Sequence, residues 1–97
     1  MQQSGIAFVG PSGAATPMKQ VTIPFTQQFD TTPVVVVANA LHDPSDHNVG
    51  DAFAVTIAFV GDNSFDANIC RLDSPAKGWS QNLYLSWFAT NVGGSTF

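Results

Sequence analysis

Charge is what this chain has least of. Only 10% of its 97 residues are charged, against roughly 25% in an average soluble domain. Three of those residues are basic, Lys19, Arg71 and Lys77, and the net charge is −4. Phosphate backbones are held by clustered lysine and arginine, so nucleic acid is not an expected partner. A single cysteine, Cys70, excludes a disulfide within the chain and leaves stability to the core and to association between chains. No apolar run approaches the ~20 residues with which a helix crosses a membrane, so membrane insertion is not expected. The N-terminus lacks a charged segment followed by a long apolar stretch, and no signal peptide is read there. Helical periodicity is missing along the whole sequence.

What the chain has is alternation. It is 44% hydrophobic, and its polarity comes from Ser, Thr, Asn and Gln. That profile belongs to a compact β-protein rather than to a disordered segment, of a kind common in extracellular and virion-surface modules. The length fits one domain, residues 1–97. Gly5 to Val9 reads as a first strand and Pro11 to Pro17 as a loop. Val21, Ile23 and Phe25 alternate with polar residues in a second strand, with Pro24 marking an edge or a bulge. Val34 to Val37 is a β-branched run, read as a third strand buried on both faces. Leu41 to Asp51 is a polar loop. Phe53, Val55, Ile57 and Phe59 alternate with Ala52, Ala54, Thr56 and Ala58 in a fourth strand. Gly61-Asp62-Asn63 is a turn, Phe65 to Leu72 a fifth strand, and Leu83 to Ala89 a sixth. Six strands at short spacing predict an all-β fold, a six-stranded antiparallel β-sandwich.

Two faces draw notice within that plan. Leu83, Leu85 and Trp87 share the face expected to meet Phe53, Val55, Ile57 and Phe65 in the core. The opposite faces are not charged: Ala52, Ala54 and Ala58 are small and apolar, and Tyr84 and Phe88 are aromatic. Both sets predict a surface covered by a neighbouring subunit.

The order and spacing of these pieces resemble the H-type lectin family of snail-agglutinin-like and discoidin C-terminal domains. Gln3-Ser4-Gly5 with Gly10 is similar to its opening strand. Lys19 to Ile23 with Phe29 and then Pro33 to Val36 is similar to its second block. Phe65 to Cys70 and Leu83 to Ala89 resemble its last two strands. The resemblance covers nearly the whole chain. It implies a homotrimer, with a hexamer as the alternative, that binds terminal galactose or N-acetylgalactosamine between neighbouring subunits, with no catalysis and no cofactor. The family's arginine at the start of the fourth strand has no counterpart in Asp51-Ala52-Phe53. Its aromatic-histidine pair falls on Leu72-Asp73, its following tyrosine on Trp79 or Gln81, and its first-loop acid near Ser12.

The residues themselves nominate a similar place. Sugars present an apolar C–H face that packs on an indole while polar neighbours bond the hydroxyls, and Trp79 has Asp73 and Lys77 beside it. Joined with the positions the resemblance implies, the ligand-binding set is Ser12, Asp51, Asp73, Lys77, Trp79 and Gln81. It is expected where the Pro11–Pro17, Leu41–Asp51 and Asp73–Ser80 loops approach one another. His42, Asp43, Asp46 and His47 carry zinc-type ligand chemistry, yet Asp in such a loop ordinarily bonds its own backbone, and no metal is assigned. No serine sits on a strained elbow beside a histidine, and Asp51 with Asp73 is the one carboxylate pair considered for glycoside cleavage. No enzymatic role is expected, and Cys70, inside a strand, reads as an inert thiol. The leading function is carbohydrate binding outside the cell or on a virion. The alternative is a trimeric tip, assembly or receptor-binding domain of a phage tail fibre or another surface fibre.

Overall fold

A computed structural model of the chain describes residues 1–33, 35–45 and 50–91. It contains six strands: β1 Gln2–Phe8, β2 Met18–Pro24, β3 Val35–His42, β4 Phe53–Val60, β5 Ser64–Arg71 and β6 Leu83–Thr90. They form two three-stranded antiparallel sheets, one in the order β1-β6-β3 and the other β2-β5-β4. Each sheet buries one face against the other, as a sandwich requires. The six strands, their antiparallel pairing and the edge position of Pro24 agree with the sequence reading.

The inner layer comes from the central strands. Phe65, Ala67 and Ile69 of β5 face Leu83, Leu85, Trp87 and Ala89 of β6, all buried. Central strands give the cleanest alternation because both of their neighbours shield them. Aromatic rings cluster at one end of this layer. Phe25 packs edge-on against Phe29 with centroids 4.8 Å apart, and Trp87 lies 5.7 Å from both Phe25 and Phe65. The indole of Trp87 also lies over Gly5, directly across the β1–β6 pair, where an added Cβ would come within 2.9 Å of the ring nitrogen. Gly5 is thus the residue that lets β1 lie flat beneath a tryptophan.

Several expectations need correction. Val34 lies outside the described residues. Val35 and Val37 are exposed, and only Val36 packs toward the core. The cause is the two-layer architecture: each sheet has one covered face, so a β-branched run in β3 alternates like any other. β3 also runs on through Leu41 and His42, which were read as loop. In β4 the register shifts between Ile57 and Phe59. That bulge turns Phe59 outward, to 63% exposure, and lets Val60 take the inward place. A bulge inserts one unpaired residue and flips the alternation beyond it, which a strictly period-two reading cannot anticipate. Finally, Ala54 and Ala58 lie on the outer face of one sheet and Tyr84 and Phe88 on that of the other, while Ala52 precedes β4. The two sets do not form one covered surface.

The place of Trp87 in the core generates a stability prediction. Trp87→Ala opens a cavity between Phe25, Phe65 and Gly5 and should cost roughly 3–5 kcal/mol. Thermal unfolding followed by circular dichroism measures this, and an unchanged melting temperature contradicts the assignment.

Candidate functional site

An antiparallel arrangement places the β1–β2, β3–β4 and β5–β6 connections at the same end of the sandwich. Backbone hydrogen bonds join two of them directly. The Ser12 and Gly13 amides donate to the Trp79 carbonyl at 3.0 and 3.3 Å, and the Gly78 amide donates to Ala14 O at 3.1 Å. The Ser12 hydroxyl accepts from the Trp79 amide at 3.0 Å. Gly78 is required by this closeness: a Cβ there would collide with the Gly13 carbonyl and press on the Ser12 hydroxyl and the Thr16 carbonyl. Gly10, with φ of 73°, occupies the left-handed region that favours glycine. Lys19 completes the stitching by donating from Nζ to Val9 O at 2.6 Å and Pro11 O at 3.0 Å.

The third connection is tied in by Arg71. It ends β5, directly opposite Phe53 at the start of β4. Its Nε and Nη2 grip the two oxygens of Asp73 at 3.1 and 3.0 Å, in the fork geometry that suits a guanidinium to a carboxylate. Nη2 also reaches Asp51 at 3.2 Å, and Nη1 donates to Gly78 O at 2.6 Å. The second oxygen of Asp51 accepts from Gln81 Nε2 at 2.7 Å. Asp73 further accepts from the Ala52 amide at 2.9 Å. One arginine therefore fastens the segments at 51–52, 71–73 and 78–81 to each other. Its grip, with the Ala52 amide second, holds the Asp73 carboxyl down at about 2. The same contact raises the pKa of Arg71. Asp51 and Asp73 thus share one guanidinium instead of flanking a cleft.

An open depression of about 340 Å³ lies over this network, lined by Ala14, Asp51, Arg71, Lys77, Gly78, Trp79, Ser80 and Gln81. The structure therefore brings Asp51, Lys77, Trp79 and Gln81 to one place, as the sequence reading expected. Ser12 and Asp73 are beside it but are not part of its lining, being engaged in holding the loops. The ammonium of Lys77 has no partner among the described residues. Trp79 requires a correction. It is 2% exposed, its ring meets Phe53 edge-on at 5.1 Å, and its indole nitrogen donates to Gly10 O at 2.8 Å. A buried ring offers no face to a sugar. Trp79 plugs the core and contributes only backbone and ring edge to the depression.

The remaining nominated residues separate. His42 donates from Nε2 to the Asp51 carbonyl at 3.1 Å, which leaves Nδ1 buried without a partner among the described residues. Asp43 turns back on the amide and hydroxyl of Ser45 at 2.9 and 2.7 Å, the self-capping expected of an aspartate in a turn. That capping lowers its pKa. Asp46 and His47 lie outside the described residues. Among the described residues no three metal-ligating side chains come together.

Arg71 is the functional-site residue that sequence reasoning passed over. Its signal was available: two loop aspartates and only three basic residues leave few possible partners. No protein-family model matches this chain, nor does any curated protein or solved structure.

Two predictions follow from the network. Trp79→Ala should destabilise the fold by roughly 3–5 kcal/mol and unlock both loops, seen as a lower melting temperature and faster amide exchange at 10–14. A purely surface role for Trp79 predicts no such change. Asp73 has a folded-state pKa depressed to about 2, so its contribution is complete above the ordinary carboxylate range near 4 and is lost as pH falls through about 2. Asp73→Asn should therefore lower the melting temperature at pH 6, and the gap to the parent should shrink steadily toward pH 2. A gap independent of pH argues against the ion pair.

Proposed function

We propose that this domain binds carbohydrate at the loop end of the sandwich and that copies assemble into a homotrimer, so that weak single sites act together. The observation that carries the reading is the depression over the Arg71 network. It combines the Lys77 ammonium and the Gln81 side-chain carbonyl, neither with a partner among the described residues, with the Ser80 hydroxyl and backbone groups, on loops fixed by hydrogen bonds. Neutral sugar hydroxyls need donors and acceptors interleaved on a rigid floor, and this floor supplies both. With Arg71 and both aspartates already occupied, Lys77, Ser80 and the side-chain carbonyl of Gln81 are the groups left to meet a ligand. Galactose-type sugars are the first to test, on the strength of the sequence resemblance to H-type lectins. With Trp79 buried, little apolar stacking is offered, so single-site binding is weak, on the order of millimolar, and is raised by several copies on one assembly. Two trimers joined as a hexamer would extend the same gain.

A second reading is an assembly or receptor-binding tip of a surface fibre, on a virion or elsewhere outside the cell. It is favoured by the uncharged outer face of the β1-β6-β3 sheet, a surface suited to contact rather than to solvent.

A glycan array on the purified protein separates the two. Carbohydrate binding predicts retention of at least one galactose- or N-acetylgalactosamine-terminated glycan. Lys77→Ala should weaken that binding roughly tenfold, the worth of one hydrogen bond from a charged donor, with no loss of melting temperature. An array with no retained glycan removes the carbohydrate reading and leaves the fibre-tip reading.

A further inference from the structure

The cross-strand register of the β1-β6-β3 sheet defines what its outer face presents. Four successive rows run across β1, β6 and β3: Gln2, Thr90, Val35; then Ser4, Phe88, Val37; then Ile6, Ser86, Asn39; then Phe8, Tyr84, Leu41. None carries a charge. Ile6 is 66% exposed, Phe8 60% and Val37 52%, with Val35 and Leu41 also exposed. The aromatic side chains of the central strand fill the middle: Tyr84 packs edge-on against Phe8 at 5.5 Å, and Phe88 stands between Ser4 and Val37. Three strands at the ordinary spacing and seven residues of length give a flat patch on the order of 300 Å². Seven of these twelve side chains are apolar or aromatic (Val35, Phe88, Val37, Ile6, Phe8, Tyr84 and Leu41), and an uncharged face of that composition is suited to contact with another surface.

The edges of the same sheet carry a second sign. Exposed strand edges are usually blunted by lysine, proline or a bulge. The other sheet follows this rule at both edges: β2 contains Lys19 and Pro24, and β4 is bulged between Ile57 and Phe59. In β1 and β3 none of these devices is present. Protection is absent from the one sheet whose outer face is apolar.

We infer that the outer face of the β1-β6-β3 sheet is where copies of this chain pack on each other. The inference gives a surface to the self-assembly in the reading above and is independent of carbohydrate binding. Charge selects a second copy as the occupant. The chain is acidic, at −4, so two copies repel wherever their carboxylates meet. The described acidic residues lie on loops or, for Asp66, on the other sheet, and this face is where two copies approach without that cost. A partner selected by charge would meet a charged complement, and none is offered. The polar row suits a like surface too, since Ser86 and Asn39 are each donor and acceptor and find both kinds of partner on a second copy of the same face. Tyr84 and Phe8 end the patch next to the loops that frame the depression.

The test is native mass spectrometry and sedimentation of the whole chain across a micromolar concentration series, with three single variants. Ile6→Lys and Val37→Lys each set a like charge inside the face, and Thr56→Lys sets one on the exposed outer side of the other sheet as a control. The expected result is an oligomer for the parent and for Thr56→Lys. Both face variants should be monomers with unchanged circular dichroism spectra, their dissociation constants raised at least tenfold. Using two separate face positions keeps the test valid if one substitution impairs folding. A parent oligomer unaffected by either face variant overturns this surface while leaving self-assembly standing. A parent that is monomeric throughout overturns both. A monomer that floats with neutral phosphatidylcholine vesicles overturns the choice of occupant in favour of lipid.

Discussion

Everything in this molecule is arranged around one apolar layer between two small sheets. Phe65, Ala67 and Ile69 on one side and Leu83, Leu85, Trp87 and Ala89 on the other are excluded from water. With no disulfide, burial of this layer is the main favourable term against chain entropy. Each central strand must commit every second residue to it, so the intervening residues are turned outward whatever their chemistry. The apolar outer face follows from that: Phe88 and Tyr84 lie outside because Trp87 and Leu85 lie inside.

The layer is closed differently at its two ends. At one, Phe25 and Phe29 fold over Phe65 and Trp87, and their amides donate to the Asn63 and Asp62 carbonyls at 2.8 and 2.9 Å, extending the β2–β5 pairing into the β4–β5 turn. At the other, Trp79 serves as the stopper, and the loops that carry it are fastened by Lys19 and Arg71. Polar groups near this stopper are therefore mostly structural. Asp51, Asp73 and Ser12 look like recognition residues in a sequence because they are polar and lie in loops. In the fold their bonding capacity is largely taken up by Arg71, Gln81 and the Trp79 amide.

Much of the architecture was legible in the sequence because a half-buried strand imprints period-two alternation, and β5 and β6 carry it cleanly. It failed where position within the sheet overrides local pattern. Val35 and Val37 look like core until the sheet is known to have only one covered face, and Phe59 looks inward until the bulge is known. The candidate site was legible as a location, since three connections of an antiparallel fold meet at one end. The roles within it were not. Whether Trp79 faces solvent or core depends on where the 10–17 loop lies, and that contact spans 67 residues of sequence. Arg71 was overlooked because it is read with β5, although its guanidinium serves the loops.

The different states of the two lysines have a practical consequence. Lys19 Nζ is held between two carbonyl oxygens beneath the first loop, whereas Lys77 Nζ stands at the rim of the depression with no partner among the described residues. An acylating reagent must reach the amine nitrogen, and Nζ of Lys19 is engaged by two carbonyl oxygens while that of Lys77 stands open. Under limiting reagent Lys77 is the lysine side chain that reacts first. A dye introduced this way sits within a side chain's length of Gln81 and Ser80, at a position fixed by the fold. The chain thereby carries its own attachment point for an optical reporter, with no cysteine engineering and with Cys70 left untouched.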